Sequence, residues 1–223
     1  MEPLFGHVQY EPWVGPAYGV QTPVFEVPVL VVGESHYWYD GCTDDEHLTK
    51  RVFGERALGG LADHHQFDKD IVRAVLGIAE PDSSAHNTVW QAVAFYNYIR
   101  HLLPNSSKRP TKEMFGDPEA WPAFREVLAA LRPSPRCIRV FSKQVWDRGF
   151  PKFDRLDDEA SAFVGCDADG AGWYRTGDFG FAFAVGLYHP SAWRRFGKGY
   201  LHWHPMIQKA LDYAHLHSDR ERL

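Results

Sequence analysis

Apolar positions fall into a few dense runs separated by polar stretches rich in Gly and Pro. Val27-Pro28-Val29-Leu30-Val31-Val32 is continuous, largely β-branched, and stops at Gly33. A run apolar at every position fits a strand buried on both faces of a parallel sheet. Pro28 stands near its start, where a missing N–H is tolerated. Cys137-Ile138-Arg139-Val140-Phe141 and Phe181 to Tyr188 are further strand candidates. Helical spacing governs Asp68 to Leu76, with Ile71, Val72, Val75 and Leu76 on one face and a stop at Gly77. It recurs from Trp121 to Leu131, through Phe124, Val127, Leu128 and Leu131, ahead of Pro133 and Pro135. Pro205 to Leu216 closes as a helix. From Asn87 to Leu103 two periods overlap: Trp90, Val93 and Ala94 suit a helix, Phe95-Tyr96-Asn97-Tyr98-Ile99 a short strand, and periodicity leaves the boundary open.

Residues 1–24 carry Gly, Pro and aromatics without a period and read as an irregular N-terminal arm. Residues 25–223 read as a single α/β domain. Asp147 to Gly180, rich in Gly and Asp, reads as a long surface excursion. Strands alternating with helices predict a central, mostly parallel four-stranded sheet with helices on both faces.

Composition narrows this only a little. Hydrophobic residues at 44% and charged residues at 24% are ordinary for a globular chain. A net charge of −5 argues against nonspecific coating of nucleic acid, which needs clustered Lys and Arg, but permits a local basic face. Lys108, Arg109 and Lys112, with Arg194, Arg195 and Lys198, are candidates for such a face. Cys42, Cys137 and Cys166 lie far apart and form neither a disulfide framework nor a four-Cys cluster. No basic-then-apolar leader opens the chain, and no apolar run approaches the ~20 residues of a membrane span. The expectation is a cytoplasmic protein with no membrane partner and no obligatory protein partner. His202 and His204, spaced to share one strand face, and His64 and His65 beside Asp63 raise the question of a metal. No third and fourth ligand joins them at familiar spacing, so neither metal nor cofactor is expected.

In open parallel sheets ligands bind beyond the carboxyl ends of the strands. Two predicted strands end in polar segments, Gly33-Glu34-Ser35-His36-Tyr37 and His189-Pro190-Ser191, and Asn97 stands among aromatics in a third segment. Together they offer one cleft a carboxylate, imidazoles, an amide and several rings. Gly33 belongs to no phosphate-cradling glycine pattern.

These segments, in this order, resemble the uracil-DNA glycosylase superfamily. Gly33-Glu34-Ser35-His36-Tyr37 resembles its first motif, G-Q-D-P-Y in one branch and G-E-A-P-G in another. Leu187-Tyr188-His189-Pro190-Ser191 resembles its H-P-S motif. Arg51-Val52-Phe53-Gly54-Glu55-Arg56-Ala57 is similar to the stretch carrying the ring that stacks on the base, and Phe95-Tyr96-Asn97 to the segment with the base-reading Asn. The similarity spans roughly residues 25–215. It departs at Ser35, where one branch has a water-activating Asp, and at His36, where both have Pro.

The resemblance implies a three-layer α/β fold and removal of uracil or another deaminated base from DNA by base flipping. Glu34 would orient or deprotonate water, and neutral His189 would stabilise the departing base anion. Gly33, Ser35, His36 and Tyr37 would shape the pocket, Phe53 would stack on the base and Asn97 would read its edge. Pro190, Ser191, Trp193, Arg194 and Arg195 would pinch the backbone and enter the vacated stack. The alternative is the same fold binding a nucleobase or nucleotide without cleavage, or hydrolysing a small nucleoside-like substrate.

Overall fold

The computed structural model describes residues 6–54, 66–151, 154–155, 170–177, 180–193, 195, 197 and 199–217. The N-terminal arm is not wholly irregular: it supplies β1 (Trp13–Val14). The long apolar run forms β2 (Val29–Gly33), buried throughout, and a short β3 (His36–Tyr37) follows. Next come α1 (Leu48–Val52), α2 (Gln66–Leu76) and α3 (Ser83–Ala92). The Asp82 carboxylate accepts the Ala85 N–H at 2.7 Å and caps α3, giving that helix a defined start. The backbone turns extended at Val93, so β4 (Val93–Asn97) follows α3 directly and settles the mixed region.

β5 (Leu102–Leu103), α4 (Lys112–Phe115), α5 (Ala120–Ala130), β6 (Cys137–Val140) and α6 (Lys143–Arg148) follow. The chain continues through β7 (Ala171–Arg175), β8 (Phe181–Gly186), α7 (Pro190–Trp193) and α8 (Tyr200–Leu216). The last helix begins before Pro205 and runs through it, forgoing the one backbone bond that proline cannot donate.

The main sheet has the order β1-β4-β2-β6-β8-β7, and β3 and β5 form a separate parallel pair. Its inner four strands run parallel, while β1 and β7 pair antiparallel at the two edges. The expectation of a mostly parallel four-stranded sheet is therefore corrected to a six-stranded mixed sheet. Two residues of β1 are too few to show a period. β7 lies inside the Asp- and Gly-rich stretch, where Gly172 interrupts the β-branched and aromatic pattern that marks a strand.

Alternate residues of β2 serve different cores. Val29 and Val31 pack with Ile71, Trp90 and Ile207 on one face, and Leu30 and Val32 with Phe124, Val127 and Val145 on the other. Helices thus cover both faces, which is why the central strands are apolar at every position. α8 docks on the end of α2 through polar side chains as well as apolar ones. His204 Nδ1 donates to the Ala74 carbonyl at 2.9 Å and Gln208 Nε2 to that of Val75 at 2.8 Å. Gly77, at φ +69°, ends α2, and a Cβ there would lie 2.8 Å from the His204 ring. The spacing of His202 and His204 is thus helical rather than extended, so the two imidazoles cannot share a face. Among the described residues, no helix is long and apolar enough to cross a membrane.

Candidate functional site

A cavity of about 400 Å³ opens at the carboxyl ends of β2, β4 and β8, and Glu34, Asn97 and His189 all line it. The parallel register sets Gly33 beside Asn97, so the end of β2 meets the end of β4 by strand pairing alone. Gly33 itself has no side chain to contribute, and that is its role. A Cβ there would fall 2.2 Å from Asn97 Oδ1 and 2.8 Å from the Phe95 ring. Beyond β2 the chain stays pinned to the segment after β4, as the Tyr98 and Ile99 N–H groups donate to the carbonyls of Gly33 and Glu34.

Glu34 is buried, and its Oε2 accepts the Ser142 hydroxyl at 2.6 Å. Ser142 is also the N-cap of α6, where its oxygen accepts the Val145 N–H at 3.2 Å. Burial pushes the Glu34 carboxyl above its ordinary range, opposed by the Ser142 bond and the charge of Arg109. The result is a carboxylate more basic than usual, with one oxygen held.

His36, at the position of the motif proline, is almost fully enclosed. Its Nδ1 accepts from Asn97 Nδ2 at 3.2 Å and its Nε2–H donates to Thr49 Oγ1 at 2.9 Å. Burial brings its pKa down to about 3, so the ring is neutral at ordinary pH. Ser35 lines the cavity with a buried hydroxyl that has no partner among the described residues.

At the end of β8, the Ser191 N–H donates to His189 Nδ1 at 3.2 Å and Ser191 Oγ lies 2.8 Å from the same nitrogen. A backbone N–H can only donate, so Nδ1 carries no proton and Nε2 does. Burial first, and Arg109 second, lower the His189 pKa to about 4. The cavity therefore contains a neutral imidazole whose one N–H has no partner among the described residues. The Phe67 ring stacks on it at 5.1 Å and 27°.

Tyr37, Phe53 and Ser191 also line the cavity. Phe53 is buried and rests on Phe95, with centroids 4.0 Å apart, so it forms a rigid wall. Pro190 is buried at the start of α7, while Arg195 is exposed. Trp193 lies in the core: its Nε1 donates to the Tyr188 carbonyl at 2.8 Å and its ring stacks on Trp203. It therefore presents no ring at the surface for entry into a base stack, because its indole completes the packing between α7 and α8. Arg194, Lys198, residues 55–57 and 63–65, and Cys166 lie outside the described residues.

Several cavity residues escaped the sequence reading. Gln66, Phe67, Asp68 and Asp70 come from the N-terminal part of α2, and Trp38 stands at the rim, beside Arg109, which the sequence had offered only for a basic face. Thr49 and Ser142 act from behind the wall. Ser142 could have been found, since it directly follows the β6 run and strand ends are where sites lie. Thr49 and Phe67 carry no local signal. Among the described residues, no group of three or more His, Cys, Asp or Glu side chains is placed to hold a metal ion.

The arrangement can bind a flat polar ring, hold it by a paired amide, donate a hydrogen bond to charge developing on it, and direct a water with a basic carboxylate. No protein-family model matches the chain, and no curated protein does.

Proposed function

We propose that the chain is a divergent DNA glycosylase that hydrolyses the N-glycosidic bond of uracil or another deaminated base, flipped out of the DNA into this cavity. The observation that carries the reading is the convergence of Glu34, Asn97 and His189 from three parallel strand ends on one base-sized cavity, with His189 neutral and its Nε2–H unpartnered among the described residues.

In this mechanism a water oxygen attacks C1′ of the sugar while the bond from C1′ to the base nitrogen breaks. The bonding electrons leave with the base. His189 donates to the base oxygen on which they settle, in a site with little water to compete. Glu34 takes the proton from water and favours the cationic character of the sugar; its burial-raised pKa strengthens it as a base. Asn97 pairs with the base edge, and a wrong base leaves a buried amide unsatisfied at ~1–3 kcal/mol. Phe53 stacks against the base and Tyr37 limits the room beside it. Ser191, Arg109, Lys108, Lys112 and Arg195 contact the backbone phosphates.

A second reading is hydrolysis of a small nucleoside. It is favoured by three carboxylates, Glu34, Asp68 and Asp70, lining a cavity whose one guanidinium among the described residues is Arg109. Carboxylates accept from sugar hydroxyls and repel phosphate. Base release from single-stranded and mismatched oligonucleotides containing uracil, hypoxanthine or xanthine, beside the free nucleosides, separates the two. DNA substrates should be cleaved, with binding that weakens steeply as salt rises. Release from nucleosides alone supports the second reading, and affinity without release contradicts both.

A further inference from the structure

We infer that Trp38 is a stacking platform for the base next to the flipped one, so that the site takes a strand and not a lone nucleoside; this rests on the reading of the cavity as a base pocket. The chain has eight Trp. Seven engage their indoles within the fold, each against another ring or donating through Nε1 to a carbonyl or carboxylate oxygen. Trp38 differs: it lines the cavity at the rim and is 48% exposed. Among the described residues no ring, cation or hydrogen-bond acceptor engages its indole.

The backbone fixes where this ring stands. The Trp38 N–H donates to the Leu103 carbonyl at 2.7 Å, which extends the pairing of His36 and Tyr37 with Leu102 and Leu103. Along His36, Tyr37 and Trp38 the side chains pass from buried through half-buried to exposed. The first meets Thr49 behind the wall, the second lines the pocket, and the third reaches its mouth. There β5 gives way to the loop carrying Lys108 and Arg109, both exposed and without an ion pair among the described residues. An open aromatic face beside unpaired cations is the composition that holds single-stranded nucleic acid. The charge draws the phosphates and the ring takes a base whatever its identity.

Rotating a base out of a strand bares one face of each neighbour, and the stacking lost there is part of what flipping costs. An indole laid on one of the bared faces returns part of that loss, and only while the target base is in the pocket. Trp193 cannot serve, because its ring is packed on Trp203. One ring covers one face, so the benefit belongs to the neighbour on one side of the target and not to both.

The test crosses two substitutions in the full chain, Trp38→Ala and Trp38→Phe, with a set of single-stranded oligonucleotides. Each carries one uracil, and the nucleotide on its 5′ side, on its 3′ side, or on neither lacks a base. On the intact strand Trp38→Ala should lower kcat/KM for uracil release about tenfold or more, and Trp38→Phe should keep most of it. Removing the neighbouring base on one side should cost the wild type a similar factor and Trp38→Ala almost nothing; removing the other should affect both proteins alike. A Trp38→Ala loss of the same size on all three strands overturns the inference, since the ring then acts on the flipped base itself. An intact-strand kcat/KM unchanged by Trp38→Ala overturns it too. If the wild type releases no base from any strand, the proposed function fails. The same crossed set is then read as Kd for the uncleaved strands, where the one-sided dependence still supports the inference. Its absence there, or a wild type that binds none of the strands, overturns it.

Discussion

The two polar strand ends that meet in the cavity are built in opposite ways. At the end of β2 the side chains are held by partners remote in sequence: Glu34 by Ser142, 108 residues on, and His36 by Asn97, 61 residues on. At the end of β8, His189 is held by Ser191, two residues away, within the first turn of α7. One end depends on the whole sheet being assembled. The other is a local turn that orients its imidazole as soon as the turn forms. A carboxylate that must be both buried and ionised needs the first kind of support, because desolvation has to be offset by bonds from elsewhere in the fold. A neutral imidazole needs only to have its tautomer chosen.

Substitutions can break this contrast, and the largest effect is expected at the remote end. Glu34→Gln keeps an oxygen for Ser142 but removes the base, so single-turnover release should fall by ~10²–10⁴-fold with affinity for substrate retained. Full activity would place the base elsewhere. His189→Ala removes the donor to the departing base and should cost ~10²–10³-fold in the same assay. A loss in affinity with no loss in rate would contradict that role.

Acid stability comes third in size. His36 and His189 titrate near 3 and 4 when folded against 6.5 when free, so between those values the unfolded chain binds more protons. Their contribution is full above pH 6.5 and lost as pH falls toward 4 and then 3. Glu34, raised by burial, contributes with the opposite sign. Urea midpoints should decline from pH 6.5 to 4, with a shallower decline in His189→Gln; a level profile would refute the burial of these rings. The smallest effect is expected at the local end. Ser191→Ala removes one hydroxyl from Nδ1 but leaves the backbone N–H that selects the tautomer, so release should change less than about tenfold. A loss as large as that of His189→Ala would mean the hydroxyl itself acts on substrate.

The same contrast explains what could be read from the chain. His189-Pro190-Ser191 is a local arrangement, visible as polar residues closing an apolar run. β2, β6, β8, α2 and α5 were legible for a similar reason, since burial on both sheet faces or on one helix face imposes a period. Glu34 and Asn97 could be placed at strand ends, but not their partners. Nothing around Thr49 or Ser142 reports that a hydroxyl will meet His36 or Glu34, because the first depends on how α1 packs on the end of β3 and the second on the pairing of β2 with β6, far apart in sequence. Trp193 shows the converse. Its place after the H-P-S turn suggested a surface role, yet the indole is needed to pack against Trp203.

Ser142 carries one more consequence. Its oxygen starts α6, a helix of six residues, and its proton holds Glu34. So short a helix opens locally far more often than the sheet beneath it. Each time its first turn frays, the carboxylate loses its tether and gains water, and its proton affinity drops back toward that of a free acid. Amide exchange at Val145 and the titration of Glu34 are therefore two readings of one motion, and a change that steadies this turn should slow the first and sharpen the second.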